Sequence, residues 1–302
     1  MRPYVCAGGT AVVTGAGSGI GEALTYGLAD RGSHLVLVDQ HEDRLDRVAG
    51  AVRQRHPDLR VETVVADLGD HDATVELGTR LAAEHPETTL LVNNAGVTVG
   101  GELAELSLAE LDRVLEVDLR AVISLTHGLL PVLLAHPGAH VVVVSSIFGI
   151  FAAPGQVPYV TAKFGVRGFA EALRHELAGR VGVTVVHPGG VATRIAADTP
   201  VAQRADRAAF DVTRGRVARL LRIPAATAAQ TILRGVERRR RRVLVGWATA
   251  RLPDLLVRAL PGSYGGVVGL FSGSRFDPRA ARATRPPATT DPAPAPATNG
   301  RA

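Results

Sequence analysis

Short apolar runs rich in valine and leucine alternate along the chain with longer segments in which apolar residues recur at helical spacing. The runs His34–Asp39 and Ala139–Ser145 are almost continuously apolar, which is typical of strands buried on both faces of a parallel sheet. The pattern predicts seven strands, at Ala11–Thr14, His34–Asp39, Val61–Ala66, Thr89–Asn93, Ala139–Ser145, Val181–His187 and Arg242–Val245. It predicts helices near 19–31, 42–54, 71–84, 108–135, 159–179 and 225–238. Such repeated alternation indicates an α/β fold, a doubly wound parallel sheet with helices on both faces.

Three segments do not follow this alternation. Residues 193–224 are rich in arginine and alanine, and a long insertion after the sixth strand is typical of a lid over a binding site. Residues 247–276 extend beyond the last strand and contain an amphipathic stretch of Leu252, Leu255, Leu256, Ala259 and Leu260. Residues 277–302 are rich in proline, alanine, threonine and arginine and have no apolar periodicity, so we expect a disordered tail. The sequence therefore predicts a single domain over residues 1–276, followed by that tail.

The composition is that of a globular protein with a packed core, because 46% of its 302 residues are hydrophobic and 21% are charged. The single cysteine, Cys6, has no partner for an intrachain disulfide, which favours a reducing, cytoplasmic location. The first residues lack the apolar stretch of a secretion signal, and no uninterrupted apolar run reaches the roughly 18 residues that cross a bilayer. The net charge of +5 is mild, and no pattern of interleaved aromatic and basic residues points to nucleic acid. We also expect no metal ion.

A glycine-rich loop follows the first strand and opens the first helix. The glycines of Thr14–Gly21 let the backbone turn tightly and approach a pyrophosphate, whose charge then sits at the helix N-terminus. Asp39 ends the second strand about 20 residues later, where a carboxylate accepts both ribose hydroxyls and repels a 2′-phosphate. Gln40 and His41 follow instead of an arginine or lysine, which favours NAD over NADP. The residues expected to contact the dinucleotide here are Gly15, Gly17, Ser18, Gly19, Ile20, Gly21 and Asp39.

Among the 34 residues counted as lysine or arginine, Lys163 is the only lysine, and it lies four residues after Tyr159. Side chains four apart on a helix share one face. Lysine carries a compact charge on a thin stem, whereas arginine is a wide planar fork. We expect the ammonium to favour the phenolate and to lower the pKa of Tyr159 towards neutrality. The pair would then act as a general acid/base for alcohol and ketone chemistry.

These motifs together resemble the short-chain dehydrogenase/reductase family in its ordinary single-domain form, over roughly residues 8–246. The resemblance rests on the glycine loop, on Asn93-Asn94-Ala95-Gly96 after the fourth strand, on Pro188-Gly189 after the sixth, and on Ser146, Tyr159 and Lys163. It implies a Rossmann fold in which Tyr159 is the acid/base, Ser146 polarises the substrate oxygen and Lys163 also holds the nicotinamide ribose. Side chains alternate along a strand, so only one of Ser145 and Ser146 faces the site, and the family spacing selects Ser146. Further cofactor contacts that the resemblance implies are Asp67, Leu68, Asn94, Ala95, Gly96, Pro188, Gly189, Val191 and Thr193.

One position departs from the family pattern. Many members carry an asparagine in the helix after the fourth strand, where it helps to hold a water in a proton relay from the lysine. Here Asp118 occupies that position. A carboxylate also holds water, but it adds negative charge, so Asp118 is a fourth catalytic candidate whose role differs from that of asparagine.

The residues that follow the catalytic serine line the substrate pocket in this family. Here they are uncharged, which favours a hydrophobic secondary alcohol or ketone of steroid, terpenoid or fatty type. Packing of the same residues in the core is the alternative. The pocket candidates are Ile147, Phe148, Phe151, Ala153 and Val157.

Two other functions fit parts of the pattern. Arginines in 193–224 would suit a reductase of 3-oxoacyl groups on an acidic carrier protein, although a preference for NAD counts against biosynthetic reduction. A non-catalytic nucleotide-binding regulator is the second, and the intact Ser146, Tyr159 and Lys163 count against it. The family resemblance also implies a homodimer or homotetramer. The five arginines of 238–242 and the amphipathic stretch 252–260 together resemble a membrane-surface patch. The alternative is that the arginines are favourable charges at a helix C-terminus and that the apolar face of 252–260 packs on the protein or on a second subunit.

Overall fold

The computed structural model describes residues 1–193, 195, 199–205, 207, 215 and 221–265. Its centre is a seven-stranded parallel sheet with the strand order β3-β2-β1-β4-β5-β6-β7. The order reverses between β1 and β4, and in open α/β sheets ligands bind beyond the carboxyl ends of the strands at such a switch point. The strands are β1 (Thr10–Thr14), β2 (His34–Asp39), β3 (Val61–Val65), β4 (Thr88–Asn93), β5 (His140–Val144), β6 (Gly182–Pro188) and β7 (Arg242–Val245).

Helices cover both faces of the sheet. On one face, α1, α2 and α7 enclose a core that includes Leu28, Leu45 and Ile232. On the other, α3, α5 and α6 enclose a second core. The helices are α1 (Gly19–Ala29), α2 (Glu42–Arg55), α3 (His71–Glu84), α4 (Leu108–Leu115), α5 (Ala121–Ala135), α6 (Val157–Glu176), α7 (Ala225–Glu237) and α8 (Leu252–Ala259). The predicted doubly wound parallel sheet is thus confirmed, with every strand end within one residue of its predicted place.

The single helix predicted over 108–135 contains a π-helical turn. Glu116–Arg120 separates α4 from α5 and turns Val117 and Asp118 into the interior. Such one-turn insertions are frequent at functional sites. Among the described residues, this composite helix is the one that is long and apolar enough to cross a bilayer by length and composition. It is a core helix, because Leu129 and Leu133 are fully buried beneath the sheet.

The segments outside the alternation are described in part. Most of the predicted lid at 193–224, the end of the extension beyond Gly265 and the whole tail 277–302 lie outside the described residues. The described part of the extension begins with a π-helical turn, Trp247–Arg251, and continues as α8. Its amphipathic stretch therefore forms a helix.

Candidate active site

A cleft of about 2600 Å³ lies at the carboxyl ends of the strands and brings most of the predicted site residues together. The catalytic candidates Ser146, Tyr159 and Lys163 line it. The predicted cofactor residues that line it are Gly15, Gly17, Ser18, Gly19, Ile20, Asp39, Asp67, Leu68, Asn94, Ala95, Gly96, Pro188, Val191 and Thr193. The predicted pocket residues Ile147, Phe148, Phe151 and Ala153 line the same cleft.

Four predicted residues do not line the cleft: Asp118, which is fully buried, and three others described next. Gly21 packs against the Gly15 carbonyl, where a side chain would collide, so it closes the loop from behind. Gly189 faces the backbone of Thr249 in the C-terminal extension. Val157 begins α6 and is 39% exposed at the surface. Contact of these three residues with cofactor or substrate stays a prediction, because family position alone does not fix which way a residue faces.

The glycine loop is fixed by residues of β1, β2 and β4. Gly15 has φ +64, and a side chain there would also meet the Ala95 backbone, so only glycine fits. The Asn94 amide donates to the Thr14 carbonyl oxygen at 2.9 Å. The two Asp39 carboxylate oxygens accept from the Gly17 and His41 backbone N–H groups at 2.9 and 3.1 Å. These bonds hold the Asp39 carboxylate beside the loop, where an adenosine ribose would meet it.

The serine that reaches the tyrosine is Ser146. The Ser145 hydroxyl donates instead to the Lys163 carbonyl oxygen at 2.8 Å and so anchors α6 to β5. The Ser146 hydroxyl accepts from the Phe148 backbone N–H at 3.1 Å and lies close enough to Tyr159 to lower the pKa of its phenol. The Tyr159 ring meets Phe148 edge-on, with centroids 6.1 Å apart. The Ser145 hydroxyl is thus engaged in packing, and the assignment of Ser146 as the catalytic serine stays a prediction.

Lys163 forms a buried ion pair with Asp118. The Lys163 Nζ lies 2.9 Å from Asp118 Oδ2, and neither side chain has appreciable contact with solvent. The other Asp118 oxygen accepts from the Val97 N–H at 2.6 Å, and Lys163 also donates to the Val144 carbonyl oxygen at 3.3 Å. Gly96 passes over the pair so closely that a Cβ there would lie 3.0 Å from Asp118 Oδ2. In the structure, Asp118 thus meets the lysine directly rather than across a water.

The ion pair changes the electrostatics expected for Tyr159. Burial raises the pKa of Tyr159, Lys163 opposes this rise, and the Asp118 carboxylate adds to it. The expected fall of the Tyr159 pKa towards neutrality is therefore not found, because burial of the phenol outweighs the influence of Lys163 and the Asp118 carboxylate opposes that influence. Burial opposes the charge on Lys163, but Asp118 and Tyr159 together outweigh burial and raise the pKa of the lysine.

One wall of the cleft was not predicted from the sequence. Leu252, Pro253, Leu256 and Val257 of α8, with Tyr264 beyond it, line the cleft together with Phe148 and Phe151. The helical spacing of leucines in 252–260 signalled an amphipathic helix, but a one-dimensional pattern does not show what its inner face covers.

The chain is similar to known proteins over much of its length. Residues 9–204 match the family model described as short chain dehydrogenase. The chain is 36% identical over 260 residues to a Mycobacterium tuberculosis protein named as the oxidoreductase SadH, covering 85% of this chain and 92% of that protein. It is 31% identical over 194 residues to the 3-oxoacyl-[acyl-carrier-protein] reductase FabG of Thermotoga maritima, covering 64% and 78%.

Solved structures agree with these relatives. A short chain dehydrogenase/reductase from Burkholderia phymatum in complex with NAD matches with a TM-score of 0.75 and 27% identity, covering 85% of this chain and 96% of that one. A short chain dehydrogenase from Burkholderia cenocepacia in complex with NADP gives a TM-score of 0.68 and 26% identity, covering 80% and 98%. The chain belongs to the short-chain dehydrogenase/reductase family. Its class is that of oxidoreductases with a fold that binds NAD or NADP.

Proposed function

We propose that this protein transfers hydride between NAD and a hydrophobic secondary alcohol or ketone, with Tyr159 as the acid/base. The observation that carries the proposal is the juxtaposition of Ser146, Tyr159 and Lys163 in one cleft whose neighbouring walls are apolar. When bound, the nicotinamide supplies or accepts the hydride. The protein's part is to hold the substrate oxygen and to move one proton.

The proton chemistry follows from the three side chains. In reduction, the Tyr159 phenol donates its proton to the carbonyl oxygen as negative charge develops there, and in oxidation the phenolate takes the hydroxyl proton. A hydrogen bond from Ser146 to the same oxygen stabilises that developing charge. Lys163, with its Nζ 5.4 Å from the centre of the Tyr159 ring, stabilises the phenolate.

The residues at the adenosine end fit NAD. The backbone at Gly17 passes so close to Asp39 that a Cβ would lie 3.0 Å from its Oδ2, which leaves a cradle between loop and carboxylate. Arg44, Arg47 and Arg113 line this end of the cleft, and two of them, Arg47 and Arg113, are engaged by Glu22 at 2.6 Å and by Asp67 at 2.9 Å. The Asp39 carboxylate and the pairing of these two guanidiniums support a preference for NAD over NADP.

Replacing Asp39 by alanine tests that preference. We expect kcat/KM with NAD to fall by about 10- to 100-fold, because charge-assisted hydrogen bonds to the ribose are lost, and kcat/KM with NADP to rise. Asp43→Ala is the control, because it removes the same charge from the same end of the cleft. It should change kcat/KM with either cofactor by no more than about twofold, since the Asp43 carboxylate is on the exposed first turn of α2. A fall that is equal for both cofactors in Asp39→Ala would contradict the proposed discrimination.

The substrate class rests on the walls around Tyr159. Phe148 and Phe151 stack edge-on at 5.3 Å beside the tyrosine and leave an apolar surface for the substrate. The deciding experiment assays a panel of hydrophobic secondary alcohols with NAD and with NADP by the absorbance of the reduced cofactor. Turnover confined to 3-oxoacyl groups on a carrier protein would instead support the second candidate, which the likeness to FabG favours. The absence of any turnover alongside tight NADH binding would support a regulator.

Replacing Asp118 by asparagine tests the direct ion pair. The substitution makes the site more positive by one charge. This lowers the pKa of the group that loses its proton, whether that group is Tyr159 or Lys163. We expect turnover to be kept or raised. We also expect the rising limb of the pH profile for alcohol oxidation to move to lower pH. The measurement is kcat/KM for oxidation as a function of pH.

Glu116→Gln is the matched control for Asp118→Asn. Glu116 begins the same π-helical turn but pairs with His71 at 3.7 Å and Arg120 at 3.9 Å. Its pH profile should follow that of the wild type. A loss of turnover of about a hundredfold in Asp118→Asn, or a limb that moves to higher pH, would show that the carboxylate has another role.

A homodimer or homotetramer, a cytoplasmic location and contact of the Arg238–Arg242 region with a membrane surface stay predictions. Co-sedimentation with anionic vesicles tests the last of them, and no binding at low salt would rule it out.

A further inference from the structure

The C-terminal segment 247–265 closes one side of the cleft beside the catalytic tyrosine. From Tyr159, edge-on ring contacts lead through Phe148 to Phe151. The next residue, Ala152, donates its backbone N–H to the Tyr264 hydroxyl oxygen at 3.4 Å. The inner face of α8, including Leu256 and Val257, lines the cleft along the same side. This wall therefore lies at the substrate end of the cleft.

An ion pair fixes α8 in this position. Two Arg242 nitrogens donate to the Asp254 carboxylate oxygens at 2.7 and 3.1 Å, and the Asp254 side chain is largely buried. Arg242 begins β7, so the pair ties the helix to the edge strand of the sheet. Bidentate arginine–carboxylate pairs have a defined geometry as well as a favourable energy. The wall is thus attached to the rigid sheet.

A second attachment joins the segment to the end of β6. The Thr249 hydroxyl donates to the Gly189 carbonyl oxygen at 2.5 Å, and any side chain at residue 189 would collide with the Thr249 backbone. Gly246, with φ +94, reverses the chain between β7 and this contact. Gly189 thereby allows the close approach of the C-terminal segment to the strand that ends beside the cofactor residues.

We propose that α8 and Tyr264 form the specificity wall of the enzyme, against which the apolar tail of the substrate lies. The proposal rests on the proposed alcohol dehydrogenase function and narrows its substrate class to alcohols and ketones with an extended apolar chain or ring system. The lining residues Leu252, Pro253, Leu256 and Val257 offer no charge and no hydrogen-bonding side chain. An apolar substrate surface gains free energy there in proportion to the area it removes from water.

Adjacent leucines give a matched pair of variants. Leu256 faces the cleft, whereas Leu255 faces outward and is 59% exposed. In Leu256→Trp we expect kcat/KM for 2-decanol to fall by about tenfold or more, while that for 2-butanol stays within about twofold, because only the longer chain reaches the wall. Leu255→Trp should leave both values within about twofold. An equal fall for both alcohols, or no fall for 2-decanol, would overturn the proposal.

A binding measurement separates this proposal from the reaction itself. 2-Decanone should raise the Tm of the wild type more than 2-butanone does, and Leu256→Trp should abolish the difference. If the wild type turns over none of the alcohols but still shows this Leu256-dependent binding, the result contradicts the proposed reaction and supports the specificity wall. Turnover and binding that are both independent of Leu256 would overturn the wall and leave the reaction intact.

Discussion

Replacing Tyr159 by phenylalanine is expected to lower kcat by about a thousandfold or more while NADH binding is retained. General acid–base catalysis by a positioned side chain contributes about 10²- to 10⁴-fold, and no other group on the described part of the cleft stands in the same place. The ring itself would remain, with its edge-on contact to Phe148 at 6.1 Å, so the fold and the pocket shape should persist. Binding is measured by NADH fluorescence, and turnover by the absorbance of the reduced cofactor.

Tyr26→Phe is the matched control for this change. It removes the same hydroxyl from a tyrosine of α1 that hydrogen-bonds Glu22 at 3.1 Å, away from the substrate end. Turnover of this variant should be close to that of the wild type. Turnover within tenfold of the wild type in Tyr159→Phe would mean that another group supplies the proton.

Most of the fold was predictable because its signals are local. The most deeply buried strands are near-continuous apolar runs, as in His140–Val144, and the helices show their own periodicity, so both can be recognised without knowledge of the partner elements. The π-helical turn Glu116–Arg120 was not predictable, because an added residue in one turn hardly alters a 28-residue pattern. Of the three charged residues in this turn, Asp118 is the buried one, which the sequence alone does not show.

The candidate site divides in the same way. Motif spacing alone is enough to predict that part of the site lies together: the glycine loop, Asp39 and residues 146, 159 and 163. The direct pairing of Asp118 with Lys163 joins two helices 45 positions apart and depends on the exact depth of each side chain. Leu256 and Tyr264 reach the cleft only because the Arg242–Asp254 pair fixes the C-terminal segment over it. Contacts of this kind are set by tertiary packing, and no local pattern encodes them.

Lys163→Arg is expected to reduce turnover by about a thousandfold even though it preserves the charge. The Lys163 ammonium sits between Asp118 and the Val144 carbonyl oxygen, only 3.3 Å from where a Cβ on Gly96 would lie. A planar guanidinium is too wide for this space, and it would pair with both Asp118 oxygens instead of facing the tyrosine and the ribose. Arg167→Lys, one turn later on α6, makes the opposite exchange in a pair with Glu171 at 2.9 Å and should keep turnover. Near-normal turnover of Lys163→Arg would show that any cation serves.

Lys163→Met separates the structural role of the lysine from its chemical role. It leaves the Asp118 carboxylate buried without a countercharge, so we expect the free energy of unfolding to fall by about 3–5 kcal/mol, measured by urea denaturation. Adding Asp118→Asn removes that unpaired charge, and the double variant should recover most of the lost stability, because a buried ion pair replaced by neutral groups of similar volume costs little. It should recover no turnover, because Tyr159 still lacks the cation that favours its phenolate. Recovery of stability without activity would assign Asp118 to the charge balance of the core and Lys163 to the reaction. Failure of the double variant to regain stability would mean that the pair is not what holds α6 against the π-helical turn.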